Sequence, residues 1–316
     1  MPGLNAKAIR SILAKKFNEF VASIEDTDVR DLVANNSIIT GGCIASMLLG
    51  EPVNDYDIYF TDNATALAVA KYYVSRFNPG ARKGIPCAMS VDESGDRVRI
   101  VIQSVGVASE AETPKPYQYF EARPEGEAGE FIGEIMKDAG QIEDIYQETE
   151  AAALKVEDDG KPKYRPVFMS TNAITLSHRV QLVLRFFGDA EEIHRNYDFE
   201  HCTNYWLSAD GKLTLRSSAL EALLAKELRY VGSKYPICSI IRLRKFIRRG
   251  WTINAGQILK MAMQVSELDL NDLEVLQNQL TGVDAAYFSE VIEKLKEKDA
   301  TKINSAYLCE IIDRMF

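Results

Sequence analysis

The chain has 316 residues, 46% of them hydrophobic and 26% charged, a composition of globular proteins at a length that allows one or two domains with a sizeable core. No run of 18 apolar residues occurs, so no membrane span is predicted, and Met1 to Lys16 lacks the apolar stretch and cleavage site of a secretion signal. Five scattered cysteines (43, 87, 202, 238 and 309) without a CxxC pair, and only three histidines, exclude a disulfide framework and a Cys/His zinc site and predict a reduced, cytoplasmic protein.

The net charge of −9 is unevenly spread. Residues 107–163 hold 15 acids against 6 bases, whereas residues 212–260 hold 11 Lys/Arg against 2 Glu. Local field rather than net charge steers a ligand, so overall acidity does not exclude a polyanionic partner.

In chain order, residues 6–35 read as helix, with Ile9, Ile12, Leu13, Phe17, Phe20, Val21 and Ile24 at three- and four-residue spacings and a break near Glu25–Asp28. Ser37–Thr40 reads as a β-branched strand. Gly41-Gly42 punctuates it, and Cys43–Leu49 reads as a short helix ending at Gly50. Asp55–Phe60 is a predicted strand, Asp62 the N-cap of a helix through Phe77, and strands follow near 87–91 and 97–103. Residues 107–163 read as an acidic insertion with a helix near 128–155. Strands are predicted at 166–175, 180–187 and 198–206, with a turn or short helix at 189–195 between the last two. From Ser217 the pattern is helical almost to the end.

The stretch from Gly41 to Asp57 carries the chemistry. Glycines let the backbone approach a ligand closely, and a helix N-terminus offers free N–H groups to a phosphate. On the next strand Asp55 and Asp57, two residues apart, face the same way. Two adjacent carboxylates repel unless a cation lies between them, and hard oxygen ligands beside a phosphate-bearing substrate favour Mg²⁺. Such a pairing is the apparatus of phosphoryl or nucleotidyl transfer.

Gly41, Gly42, Ile44, Leu48, Leu49, Gly50, Asp55 and Asp57 resemble the signature of the DNA polymerase β-type nucleotidyltransferase superfamily. The likeness is greatest to its bacterial poly(A) polymerase and class II CCA-adding tRNA nucleotidyltransferase branch, G-G-x-V-R-D-x-L-L-G followed by D-x-D. The resemblance is tight over residues 37–62. It implies that Asp55 and Asp57 hold catalytic Mg²⁺ and that Gly41 and Gly42 contact the triphosphate. The branch's Arg-Asp pair is Ala45-Ser46 here, so part of its phosphate and capping chemistry is missing or supplied elsewhere. Arg195-Asn196-Tyr197-Asp198-Phe199 resembles R-R-D-F-T, which implies a nucleotide contact for Arg195 and a ribose-positioning or third metal-binding role for Asp198. On a regular strand Glu200 shares the face of Asp198, and His201 takes the opposite, structural one. Residues 240–253 resemble the helical neck motif R-x-x-R-F-x-x-x-x-G-F-x-I, one residue short. Arg242 and Lys245 are implied nucleotide ligands, with Arg249 on the same helical face, and Arg244, Arg248 and Arg249 are candidate RNA contacts. The branch's base-reading E-D-x-x-R is not kept at residues 235–239, so selectivity for C and A is not implied. Arg179, Lys226, Arg229 and Lys234 add nearby positive charge without a motif.

The resemblance implies an α+β fold. A nucleotidyltransferase-type mixed sheet with flanking helices forms a catalytic domain over 1–210, and an all-helical neck and body domain follows over 211–316. It implies a polynucleotide adenylyltransferase-like enzyme that moves NMP from an NTP to an RNA 3′ end, tRNA-like by analogy, using two Mg²⁺. The alternatives are a protein or small-molecule acceptor, or an inactive nucleotide- or RNA-binding homologue. The Tyr197-Asp198-Phe199 and Trp251–Gly256 stretches resemble nucleotidyltransferase-like proteins of tailed bacteriophages, which implies action in the host cytoplasm.

Overall fold

The computed structural model describes residues 3–76, 87–92, 98–104, 163–169 and 172–270, with residues 272, 275 and 279. The acidic insertion, the helix expected within it and most of the C-terminal segment lie outside these. The chain forms two compact units. One draws on residues 1–122, 154–194 and 201–223, the other on 123–153, 195–200 and 224–316.

The first unit opens with α1 (Ala6–Ala22), whose Ile9, Leu13, Phe17 and Phe20 are buried along one stripe and whose first turn is capped by Asn5. Asp26 caps α2 (Thr27–Asn35) by accepting from the Asp28 and Val29 amides, so the expected break falls where an acid can start a new helix. There follow β1 (Ser37–Thr40), α3 (Gly42–Leu49), β2 (Tyr56–Phe60) and α4 (Asn63–Arg76). Asp62 starts α4 by accepting from the Thr65 amide at 2.7 Å. Strands β3 (Cys87–Asp92) and β4 (Arg99–Ser104) form a separate antiparallel pair.

Residues 166–175, expected as one strand, are two: β5 (Pro166–Met169) and β6 (Ala173–Leu176) pair antiparallel. The polar step Ser170-Thr171-Asn172 interrupts the pattern between them, and the single-strand reading passed over it. Then come β7 (Val180–Phe187) and α5 (Ala190–His194). The strand expected at 198–206 is also corrected. Glu200–Cys202 make a single 3-10 turn, and only β8 (Tyr205–Leu207) is extended before the two-residue β9 (Leu213–Thr214). The period-two reading of 198–202 therefore fails, and with it the faces assigned to Glu200 and His201. Next is α6 (Ser217–Ala225).

Seven strands form one mixed sheet in the order β5-β6-β7-β2-β1-β8-β9, in which only β2 and β7 run parallel. Directly paired residues share a face, and the sheet's two faces differ sharply. Ile174, Leu182, Ile58, Ile39, Trp206 and Leu213 form an apolar row across six strands. This row belongs to the core shared with α1, α2 and α4, where Phe17 meets Trp206 edge-on at 5.2 Å. One residue along, the opposite face carries Thr175, Gln181, Asp57, Thr40, Tyr205 and Thr214. The same backbone register that buries the core thus lays a polar row across the other side.

The second unit contains α7 (Pro236–Arg248) and α8 (Ala255–Ser266). Pro236 suits the first helical turn, and Asn254 caps α8 by accepting from the Gln257 amide at 3.1 Å. Phe199, Phe246 and Trp251 stack edge-on in sequence, at 5.5 and 5.9 Å. The architecture is mixed α+β with flanking and C-terminal helices. No helix among the described residues is long and apolar enough to cross a membrane.

Candidate active site: a glycine turn beside two aspartates

The first cluster is built where β1 ends. Gly41 has φ 89° and ψ −152°, backbone that only glycine adopts cheaply. Its N–H donates to the Cys202 carbonyl at 3.2 Å. Gly42 then begins α3, which has no side-chain cap and no acid in its first turn. Gly42 is exposed, and a Cβ placed on it would meet nothing within 4 Å. An uncapped helix end under open space can receive an anion.

Asp57 lies across from Thr40, the residue before this turn, and Asp55 stands one residue ahead of β2. Both carboxylates are half-exposed. Both also bear on Cys43 in the first turn of α3: burial pushes its thiol up, and the charges of Asp57 and Asp55 push it further. The β1–β2 pairing thus sets Asp57 beside the strand end from which the uncapped start of α3 departs, with Asp55 two residues before it.

Under the turn lies a buried polar network. The Thr40 hydroxyl donates to the Asn204 carbonyl at 2.9 Å and takes a contact from His194 Nε2 at 2.8 Å. Because that hydroxyl has one proton, Nε2 carries the hydrogen in this arrangement. Burial, and then the charge of Arg216, push the His194 pKa down to about 3, so the ring is neutral at physiological pH. Asn204 Oδ1 accepts from the Arg216 amide, and Arg216 pairs with Glu191. Sequence reasoning passed over His194, Thr40 and Arg216, because residues 154 positions apart give no local signal.

Gln181 was also missed. It is the parallel-strand neighbour of Asp57 and shares its face, the position from which a neighbouring strand could supply a third carboxylate. A neutral amide stands there instead. Two carboxylates fit a hard divalent cation such as Mg²⁺, which keeps several waters and takes remaining oxygens from substrate phosphate. Among the described residues no group of three or more His, Cys, Asp or Glu has the arrangement of a metal site; Asp55 and Asp57 are the two carboxylates that would hold the cation here.

The second unit holds the other predicted residues. Asp198 is 8% exposed; its two oxygens accept from Ser239 Oγ at 2.7 Å and from the Arg242 guanidinium. Arg242, expected to contact nucleotide, is thus joined to Asp198. Buried Asp198 and partly exposed Arg242 make a charge-assisted pair that joins α7 to the 195–200 segment. Arg195 is exposed, Arg244 and Lys245 are half-buried along α7, and Arg248 and Arg249 are exposed at its end.

The profile of the Gabija anti-defense 2 family protein matches residues 11–226, and the chain belongs to that family. Gabija anti-defense 2 of Bacillus phage SPbetaL7 is 24% identical over 123 residues, 38% of this chain and 31% of that protein; the match thus spans about a third of that relative's length. Among solved structures, the Thermotoga maritima CCA-adding enzyme complexed with tRNA is similar at 13% identity and a TM-score of 0.38, over 84% of this chain and 49% of that one. The Bacillus stearothermophilus CCA-adding enzyme in complex with CTP gives 12% identity and a TM-score of 0.36, over 84% and 48%.

Proposed function

We propose that this member of the Gabija anti-defense 2 family is a nucleotidyltransferase acting in the cytoplasm of an infected cell against the Gabija defence, by moving NMP from an NTP onto an acceptor. One observation carries the reading: the β1–β2 register sets Asp57, with Asp55 two residues before it, beside the strand end from which the uncapped, open start of α3 departs. Asp55 and Asp57 would hold Mg²⁺; bound there, the ion supplies charge neutralisation at the triphosphate and acidifies the attacking hydroxyl. The first amides of α3 bind phosphate, and Gly42 leaves room for it to close on the helix. His194 and Thr40 fix the backbone of the turn from below. Within the second unit, Asp198 orients Arg242, and Arg195 and Lys245 add further positive charge to that unit.

An RNA 3′ end is the acceptor in this reading, drawn to Arg244, Arg248 and Arg249. A protein acceptor is the second reading, favoured by membership of a family defined by its action against a defence system. The test is transfer of label from each of four α-³²P NTPs with Mg²⁺, first to total bacterial RNA and then to Gabija-bearing cell extract. An Asp55→Asn/Asp57→Asn double variant is the control. Labelled RNA, lost in the variant, is the expected result. A log–log salt slope of about −0.7 per phosphate contacted would mark a single-stranded acceptor. Label on protein instead selects the second reading. No label on either, with protection against Gabija retained by the double variant, refutes the enzyme and leaves an inactive nucleotide-binding antagonist.

A further inference from the structure

Four described non-glycine residues have left-handed backbone: Tyr164, His178, Arg179 and Lys226. Three of them adjoin one another. The rings of Tyr164 and His178 are 5.4 Å apart, and Ser177 N–H donates to the Arg165 carbonyl at 2.9 Å. Arg179, at φ 62°, closes the turn between β6 and β7. A turn that needs successive left-handed residues is ordinarily built from Gly or Asn. An arginine there is explained by what its guanidinium reaches, while its carbonyl makes a backbone bond that any residue could make.

They reach the two flanks of Asp55. The Arg179 guanidinium donates to the Val53 carbonyl at 2.9 Å, two residues before Asp55. The Arg179 carbonyl accepts from the Tyr56 N–H at 2.8 Å, one residue after it. Asp55 itself lies just outside β2, so the sheet ladder fixes Asp57 directly but reaches Asp55 only through its neighbour. We propose that Arg179 is a positioning residue for Asp55: it clamps the backbone on both sides of that carboxylate and so sets its aim toward a divalent cation. Its left-handed conformation is the strain this clamp retains. The role rests on the reading of Asp55 as a cation ligand given above.

The test uses the full-length protein and Mn²⁺ alone, read by the electron paramagnetic resonance of free Mn²⁺, together with hydrogen–deuterium exchange. Arg179→Asn accepts the left-handed backbone and keeps the carbonyl bond to Tyr56, but its side chain is too short for Val53. Arg179→Lys retains a donor of sufficient length. The expectation is Mn²⁺ affinity about ten- to a hundred-fold weaker in Arg179→Asn, the usual effect of losing a supporting partner of a metal ligand, and most of it restored in Arg179→Lys. Exchange should quicken over residues 51–57 while β1 and the rest of β7 stay protected. Wild-type affinity in Arg179→Asn, or unchanged exchange over 51–57, overturns the positioning role and leaves the nucleotidyltransferase reading standing. Absence of Mn²⁺ binding by the wild type, or equal binding by Asp55→Asn/Asp57→Asn, refutes the cation site and the positioning role together.

Discussion

Replacing each glycine of the turn by alanine should separate folding from ligand binding. Gly42 lies in the first turn of α3 with ordinary backbone, and its added methyl meets no protein atom within 4 Å. Glycine in a helix is less favourable than alanine by roughly 0.5–1 kcal/mol. Gly42→Ala is therefore expected to raise stability by about that amount. The same methyl projects into the open space above the helix start, where a triphosphate would rest, so affinity for Mg-ATP should fall at least tenfold. Gly41→Ala should do the reverse to stability. At φ 89° and ψ −152° an alanine costs about 1–3 kcal/mol, and the Gly41 bond to the Cys202 carbonyl is put at risk as well. Urea denaturation measures the first quantity, and titration of a fluorescent ATP analogue with Mg²⁺ measures the second. A Gly42→Ala protein that binds nucleotide as the wild type does would show that no phosphate sits against α3. A Gly41→Ala protein of unchanged stability would remove the strain argument.

Three further outcomes are expected. His194 is held neutral by burial, with its pKa near 3 against about 6.5 when unfolded. The unfolded chain therefore takes up the proton first, and stability should fall by about 1.4 kcal/mol per unit as pH drops below 6.5 toward 3. His194→Gln, which keeps a donor for Thr40, should flatten that limb in urea melts at pH 7, 6 and 5; an unchanged slope would reassign the acid sensitivity. Arg242→Met leaves Asp198 buried with one partner fewer and should destabilise the protein by about 1–3 kcal/mol, discounted for the partly exposed arginine. Asp198→Asn in the same background should recover part of that loss, and an additive double variant would deny the pairing. Gln181→Glu adds a carboxylate to the row beside Asp57 and should tighten Mn²⁺ binding several-fold in the resonance assay. Unchanged affinity would mean that position 181 does not face the cation.

Local signals were easy to read. Asp62 announced a helix start because a short acid can cap an amide turn, the acids at 25–28 marked a break, and Gly41-Gly42 was recognisable as a turn. The alternating Val180, Leu182 and Leu184 gave β7 directly. Long-range pairing was not legible. Gln181 acquires its meaning only from running parallel to β2 more than a hundred residues earlier, and Arg179 only from reaching Val53. The 198–206 segment misled because aromatic and apolar residues there imitate a strand. The chain instead makes a single turn, with Cys202 supplying the carbonyl that Gly41 needs. The motif named Asp198 and Arg242 separately, and nothing local in the sequence showed that they pair.

The two opposed rows of the sheet tie chemistry to folding in a way that bears on how such a chain can change. A slip of β2 by one residue would turn Ile58 toward water and Asp57 into the core, at the expense of both. Selection for a folded protein alone therefore keeps position 57 aimed outward, whatever the side chain does there. Residues 175, 181, 205 and 214 occupy partly exposed slots on the same face, held by the same frame. Their identities can drift while the scaffold stays unaltered.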